Sequence, residues 1–106
     1  MSAVTERTGS LRAAIAAKRD VLTEVPSHYG ASNPRIFGSV ARGDARAASD
    51  IDLLVDLEPD GGNALLRIVG IGDEFSRILG VRVDVVSDSL LREPVSASAH
   101  RDAVAL

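Results

Sequence analysis

The residues whose types and spacing could do chemistry lie between Ile36 and Leu57, in the string I-F-G-S-V-A-R-G-D-A-R-A-A-S-D-I-D-L-L-V-D-L. Gly38-Ser39 is followed, after ten residues, by Asp50-Ile51-Asp52. The acids alternate with apolar Ile51, Leu53, Val55 and Leu57, the pattern of a strand with one buried face. Positions i and i+2 of a strand share a face and stand about 6.6 Å apart. Two carboxylates at that spacing can converge on one or two hard cations, whose oxygen ligands lie at about 2.0–2.6 Å. Paired cations about 3.5–4 Å apart are a common clamp for in-line phosphoryl displacement. Gly38 lets a backbone approach a phosphate closely, and Ser39 supplies a hydroxyl and an N–H at an expected helix start.

The pattern Gly38-Ser39, ten residues, Asp50-x-Asp52 resembles the signature of the DNA polymerase beta-type nucleotidyltransferases. In its fuller form, G-S-V-A-R-G-D-A-R-A-A-S-D-I-D-L-L-V, it is similar to their smallest branch, the minimal nucleotidyltransferases. The resemblance covers Arg35 to Val86 well and both ends loosely. It implies a nucleotidyltransferase fold of class α/β (α+β), with a small mixed sheet of three to four strands flanked by helices. It also implies that Gly38 and Ser39 face the phosphates of a nucleoside triphosphate. Asp50 and Asp52 would hold metal, with two Mg²⁺ ions expected. Asp84, the third strand carboxylate, would complete the metal site and receive the proton of an acceptor hydroxyl. Relatives in this branch often act as antitoxins beside HEPN-domain toxins. The implied reaction is therefore AMP transfer from ATP to a tyrosine hydroxyl of such a toxin.

Each assignment has a plainer competitor. An isolated D-x-D is more often a solvated strand edge; Gly38-Ser39 at the family spacing decides for metal ligation. Asp84 stands between valines, a costly place for an idle charge, yet it could pair with Arg82 on the same strand face. Gly38-Ser39 could be no more than a strand-to-helix turn. Arg42 could be a helix-surface charge, or its planar donor fork could neutralise nucleotide phosphates; it is assigned to nucleotide binding. Gly43 is read as the end of the short helix. Asp56 shares the acids' face but lies about 13 Å along the strand from Asp50, too far for the same cations. It is read as structural. His28, His100, Glu74 and Glu93 have no partner spacing that points to a site.

Two other functions compete with toxin modification. One is transfer to a small molecule such as an aminoglycoside, by a homodimer. The other is a non-catalytic antitoxin that neutralises by binding. No residue specifies adenine or tyrosine. A chain of 106 residues is expected to be one minimal domain spanning residues 1–106, with room for one core and no acceptor-holding domain. The acceptor surface must then come from a second subunit or a partner protein.

Composition narrows the field further. The chain is 45% hydrophobic and 25% charged, ordinary for a globular protein, and 3% aromatic with no Trp, so its core must be aliphatic. A net charge of −3 opposes an extended grip on nucleic acid, which needs a basic footprint. The absence of cysteine excludes disulfides and thiolate metal sites. No signal-peptide core or membrane-length apolar run is present, so a cytoplasmic location is expected.

The elements that must position the acids follow from hydrophobic period. Residues 1–9 read as a polar, flexible leader. Ser10 is expected to cap a helix carrying Leu11, Ala14, Ile15, Val21, Leu22 and Val25, with Lys18 interrupting the stripe and Pro26 ending the helix. Arg35–Phe37 and Asp50–Leu57 are expected strands, joined through a short helix at Val40–Arg42 and a flexible loop from Gly43 to Ser49. A helical stripe of Leu65, Leu66, Ile68, Val69, Phe75, Ile78 and Leu79 follows. Gly70 and Gly72 should kink or break it, and Gly80 should stop it. Val81–Val86 is the third strand, and the tail is expected to form one or two short helices interrupted at Pro94.

Overall fold

The computed structural model describes residues 4–88 and 95–106. Glu93 and the expected interruption at Pro94 lie outside the described residues. Helix α1 spans Glu6–Ala17 and α2 spans Arg19–Glu24, so the expected single helix divides at Lys18. The helix also starts before Ser10. Thr5 caps it, its hydroxyl accepting from the Thr8 N–H at 3.1 Å, an N-cap arrangement that side-chain polarity alone disguises as a leader. Thr8 is fully buried because the backbone of a distant loop satisfies it: the Ala45 N–H donates to Thr8 Oγ1 at 2.9 Å. Thr5 Oγ1 in turn donates to the Ala45 carbonyl at 2.6 Å. The reading of residues 1–9 as a flexible leader is therefore corrected for residues 5–9.

After a 3-10 turn at Pro26–Tyr29, strand β1 runs over Ala31–Phe37, helix α3 over Gly38–Arg42 and strand β2 over Ile51–Leu57. Strand β1 begins earlier than expected because the chain bulges through Asn33-Pro34. Its register against β2 shifts between Ser32 and Arg35, and Asn33 adopts φ 53°. A bulge is one of the few ways a sheet accommodates proline. Helix α4, Ala64–Leu79, leads to strand β3, Val83–Ser87; helix α5 is Val95–Asp102 and a short strand β4 is Val104–Ala105. The sheet order is β3-β2-β1-β4, with β2 and β3 parallel and the other pairs antiparallel. A mixed four-stranded sheet flanked by helices agrees with the expected fold class.

Ile51, Leu53 and Val55 of β2 are fully buried, together with Leu22, Ile71 and Phe75. Helix α4 is continuous through both glycines. A Cβ on Gly70 would enter the Tyr29 ring, and one on Gly72 would press on Val83 and Val85 of β3. These glycines let the helix lie close to its neighbours, and that packing offsets their low helix propensity. The apolar stripe is also rotated from the expected one. Ile68, Ile71 and Phe75 point inward, while Leu65, Leu66 and Val69 are exposed. No helix among the described residues is long and apolar enough to cross a membrane.

Candidate functional site

The β1–β2–β3 register builds the site. Phe37 is paired with Asp52, and Asp52 is paired with Asp84 on the parallel neighbour. Register partners on adjacent parallel strands project from the same face, with the strands about 4.8 Å apart. The two carboxylates, separated by 32 residues of chain, thus become lateral neighbours. Asp50 stands just before β2, two residues upstream of Asp52. It is close enough to the β3 end for Arg82 to reach it: Arg82 Nε lies 3.7 Å from an Asp50 oxygen and 3.3 Å from an Asp84 oxygen.

Because Phe37 opposes Asp52, the next residue, Gly38, turns directly over the Asp52 side chain. Its φ of 73° lies in the left-handed region, and a Cβ there would collide with the Asp52 carboxylate. Only glycine satisfies both conditions without strain. Ser39 follows in the first turn of α3. The Ser39 carbonyl accepts from the Gly43 and Asp44 N–H groups at 2.9 and 3.0 Å, with Gly43 at φ 95° ending the helix as expected.

The surroundings hold this turn in place. Arg12 of α1 donates to the Val40 and Ala41 carbonyls at 3.1 and 3.0 Å, covering the C-terminal end of α3. The loop from Gly43 to Ser49 is anchored rather than loose. Its Ala45 is buried against the Thr5–Thr8 pair, and Ser49 Oγ accepts from the Arg46 N–H at 2.7 Å. The tether runs from α1 to the residue before Asp50, so the N-terminal helix helps set where the first acid stands.

Electrostatics single out Asp52. Burial pushes its carboxyl above the usual aspartate range, and the negative charges of Asp84 and Asp50 push it further; Arg42 acts in the opposite direction. A half-buried carboxylate beside two more acids is an arrangement that a divalent cation relieves. Oxygen-only donors suit a hard cation such as Mg²⁺, so the donor set fits the metal. No three acidic or imidazole side chains among the described residues already form a cage, and two of these three carboxylates are in ion pairs with Arg82.

Arg42 ends α3 with its guanidinium donating to Asp102 of α5 at 3.0 Å and to Asp44 at 3.3 Å. It is thus close to Asp52 but engaged with other acids. Asp56 is gripped by Arg35 at 2.6 Å and accepts from the Asn33 amide at 3.1 Å, which accounts for it structurally. His100 pairs with Asp88 at 2.6 Å. The structure therefore brings together Asp50, Asp52, Asp84 and Gly38, with Ser39 and Arg42 alongside. Sequence reasoning missed two participants. Arg82 was visible only as a partner of Asp84, since its reach to Asp50 needs the β2–β3 register. Asp102 stands 60 residues from Arg42 and carries no local signal.

Comparison with known proteins agrees with this fold. A model of the nucleotidyltransferase domain matches residues 18–105, and the chain belongs to that family of enzymes. It is 33% identical over 81 residues to the protein adenylyltransferase MntA of Thermococcus cleftensis, covering 76% of this chain and 80% of that protein. A Methanocaldococcus jannaschii relative described as a protein adenylyltransferase is 37% identical over 70 residues, 66% of this chain and 72% of its own. A solved structure described as a minimal nucleotidyltransferase superimposes with a TM-score of 0.76 at 38% identity, covering 91% of this chain and 95% of that one.

Proposed function

We propose that this chain transfers AMP from ATP to a hydroxyl, most simply a tyrosine hydroxyl of a cognate HEPN-type toxin, and thereby acts as an antitoxin. The observation that carries the chemistry is the lateral pairing of Asp52 with Asp84 beneath Gly38. The acceptor reading rests on the similarity to MntA, named as a protein adenylyltransferase. A surface feature supports a protein partner. Leu65, Leu66 and Val69 expose an apolar strip on α4, and a groove of about 300 Å³ between α4 and β3 is lined by both Val69 and Asp84.

Asp50, Asp52 and Asp84 would hold divalent metal, Mg²⁺ by donor type, which when bound supplies Lewis-acid polarisation and neutralises phosphate charge. The remaining work belongs to the chain. The Gly38-Ser39 turn brings backbone close to the triphosphate, and Arg42 lends positive charge to its oxygens. Asp84 takes the proton of the acceptor hydroxyl, whose oxygen forms a bond to the α-phosphorus as the bond to the pyrophosphate oxygen breaks. Positioning and charge neutralisation supply the rate, since no protein atom bonds covalently to the nucleotide.

The test is mass spectrometry of a co-expressed HEPN partner, with the wild type and with Asp50→Ala/Asp52→Ala. Addition of one or more AMP units by the wild type alone is the expected result. A stable complex without any adduct would replace this reading with inhibition by binding. Absence of a complex would redirect the search to small-molecule acceptors.

A further inference from the structure

Among the described residues Arg82 is the one cation in ion pairs with two of the three acids, and the reading of the site as metal-dependent gives it no task. It stands at the entry to β3, 74% exposed at its side chain, with Nε 3.3 Å from Asp84 and 3.7 Å from Asp50. These are the outer two carboxylates. The central one, Asp52, has no ion pair with Arg82 and meets burial and the repulsion of its neighbours, opposed by the field of Arg42. A guanidinium and a divalent cation want the same oxygen lone pairs. Each oxygen that Arg82 holds is offered less fully to metal, and no three acidic side chains among the described residues already form a cage.

We propose that Arg82 is a displaceable internal counterion of the carboxylate site, competing with divalent metal for Asp50 and Asp84 and giving way when a nucleotide offers its guanidinium phosphate oxygens instead. The proposal rests on the metal-dependent reading above. Its physical logic is one of exchange. Arg82 reduces the repulsion among the acids, so bare metal gains less by binding. Metal arriving with a triphosphate releases Arg82 to an anion for which its planar fork is suited. The site thereby favours metal-nucleotide over metal alone. The ion pairs are exposed and long, so the effect is modest. Exposed pairs are worth about 0.2–1 kcal/mol each, which for the two together corresponds to a roughly two- to thirtyfold change in affinity.

The experiment is Mn²⁺ titration by calorimetry on the full chain without nucleotide, for the wild type, Arg82→Gln, Arg82→Lys and Asp50→Asn/Asp52→Asn. Arg82→Gln should bind Mn²⁺ roughly two- to thirtyfold more tightly, Arg82→Lys should stay near the wild type, and KM for ATP should rise in Arg82→Gln. Equal or weaker Mn²⁺ binding by Arg82→Gln, with the wild type binding in a carboxylate-dependent way, overturns the counterion role and leaves the metal site standing. Mn²⁺ binding that is absent from both the wild type and Arg82→Gln, or that is unaffected by Asp50→Asn/Asp52→Asn, overturns both. Circular dichroism of each variant separates these outcomes from misfolding, which an exposed side chain gives little reason to expect.

Discussion

Gly38 lies with its α-carbon turned onto the Asp52 carboxylate, so closely that no side chain fits between them. Phe37 is paired across the sheet with Asp52, and the left-handed φ of 73° at the next residue swings the chain over that acid into α3. The glycine is thus a geometric condition of the site as well as of the turn.

Gly38→Ala should therefore impair the enzyme in two ways. The left-handed conformation costs about 1–2 kcal/mol for a non-glycine residue, and the added methyl displaces the central carboxylate. Urea denaturation should report a loss of that size or somewhat more. Transfer activity should fall by about two orders of magnitude, comparable to removing one preorganised electrostatic group.

Asp52→Asn should separate stability from activity. A carboxyl raised by folding binds its proton more tightly in the native than in the unfolded chain. In metal-free buffer, stability therefore falls as pH rises from the ordinary aspartate range through the raised native value, and stays lower above it. The amide removes that term. The variant's melting temperature in EDTA should exceed the wild type's at pH 7 and the gap should close toward pH 3, while activity falls about 100-fold or more. A lower melting temperature at pH 7 would mean that Asp52 is held by attractions stronger than its burial and its acidic neighbours.

Arg42 is shared between Asp102, Asp44 and, by its field, Asp52. If it serves phosphate, Arg42→Ala should raise KM for ATP roughly tenfold, the size of a charged hydrogen bond, with a smaller change in kcat. Asp102→Asn removes a competing acid, and its KM should stay equal to or below the wild type's. An unchanged KM in Arg42→Ala would confine the residue to anchoring α5.

Gly70→Ala offers a test of packing away from the chemistry. Helix propensity alone favours alanine by about 1 kcal/mol, but the methyl would enter the Tyr29 ring, and overpacking of this kind costs about 1–3 kcal/mol. A net loss of stability is expected in the wild-type background. In a Tyr29→Ala background the same substitution should be neutral or stabilising, a coupling that a double-mutant cycle reads directly.

Much of the site was legible because its signals are local. The alternation around Asp50 and Asp52, the Gly38-Ser39 spacing and the β-branched strand holding Asp84 are all short-range patterns, and each falls at or beside the strand or turn expected of it. Asp56 was set apart by distance along its strand, and it is held by Arg35. Helix ends were less legible. Thr5 and Thr8 look like a polar leader until the buried Ala45 loop supplies their partners. Gly70 and Gly72 look like breakers until Tyr29 and β3 are seen to need the space.

The sequence by itself pointed to the class of chemistry, because Gly38-Ser39 and Asp50-x-Asp52 at a spacing that resembles the nucleotidyltransferases lie within one short stretch of chain. It also determined the mixed α/β character, because hydrophobic period switches visibly between strands and helix. Only the tertiary structure decided which acids are neighbours. The lateral pairing of Asp52 with Asp84, the bridging of Asp50 and Asp84 by Arg82, and the hold of Asp102 on Arg42 all depend on strand register and element packing. Those contacts join residues far apart in the chain. They are set by the closing of one aliphatic core rather than by any local preference, so no window of sequence contains them.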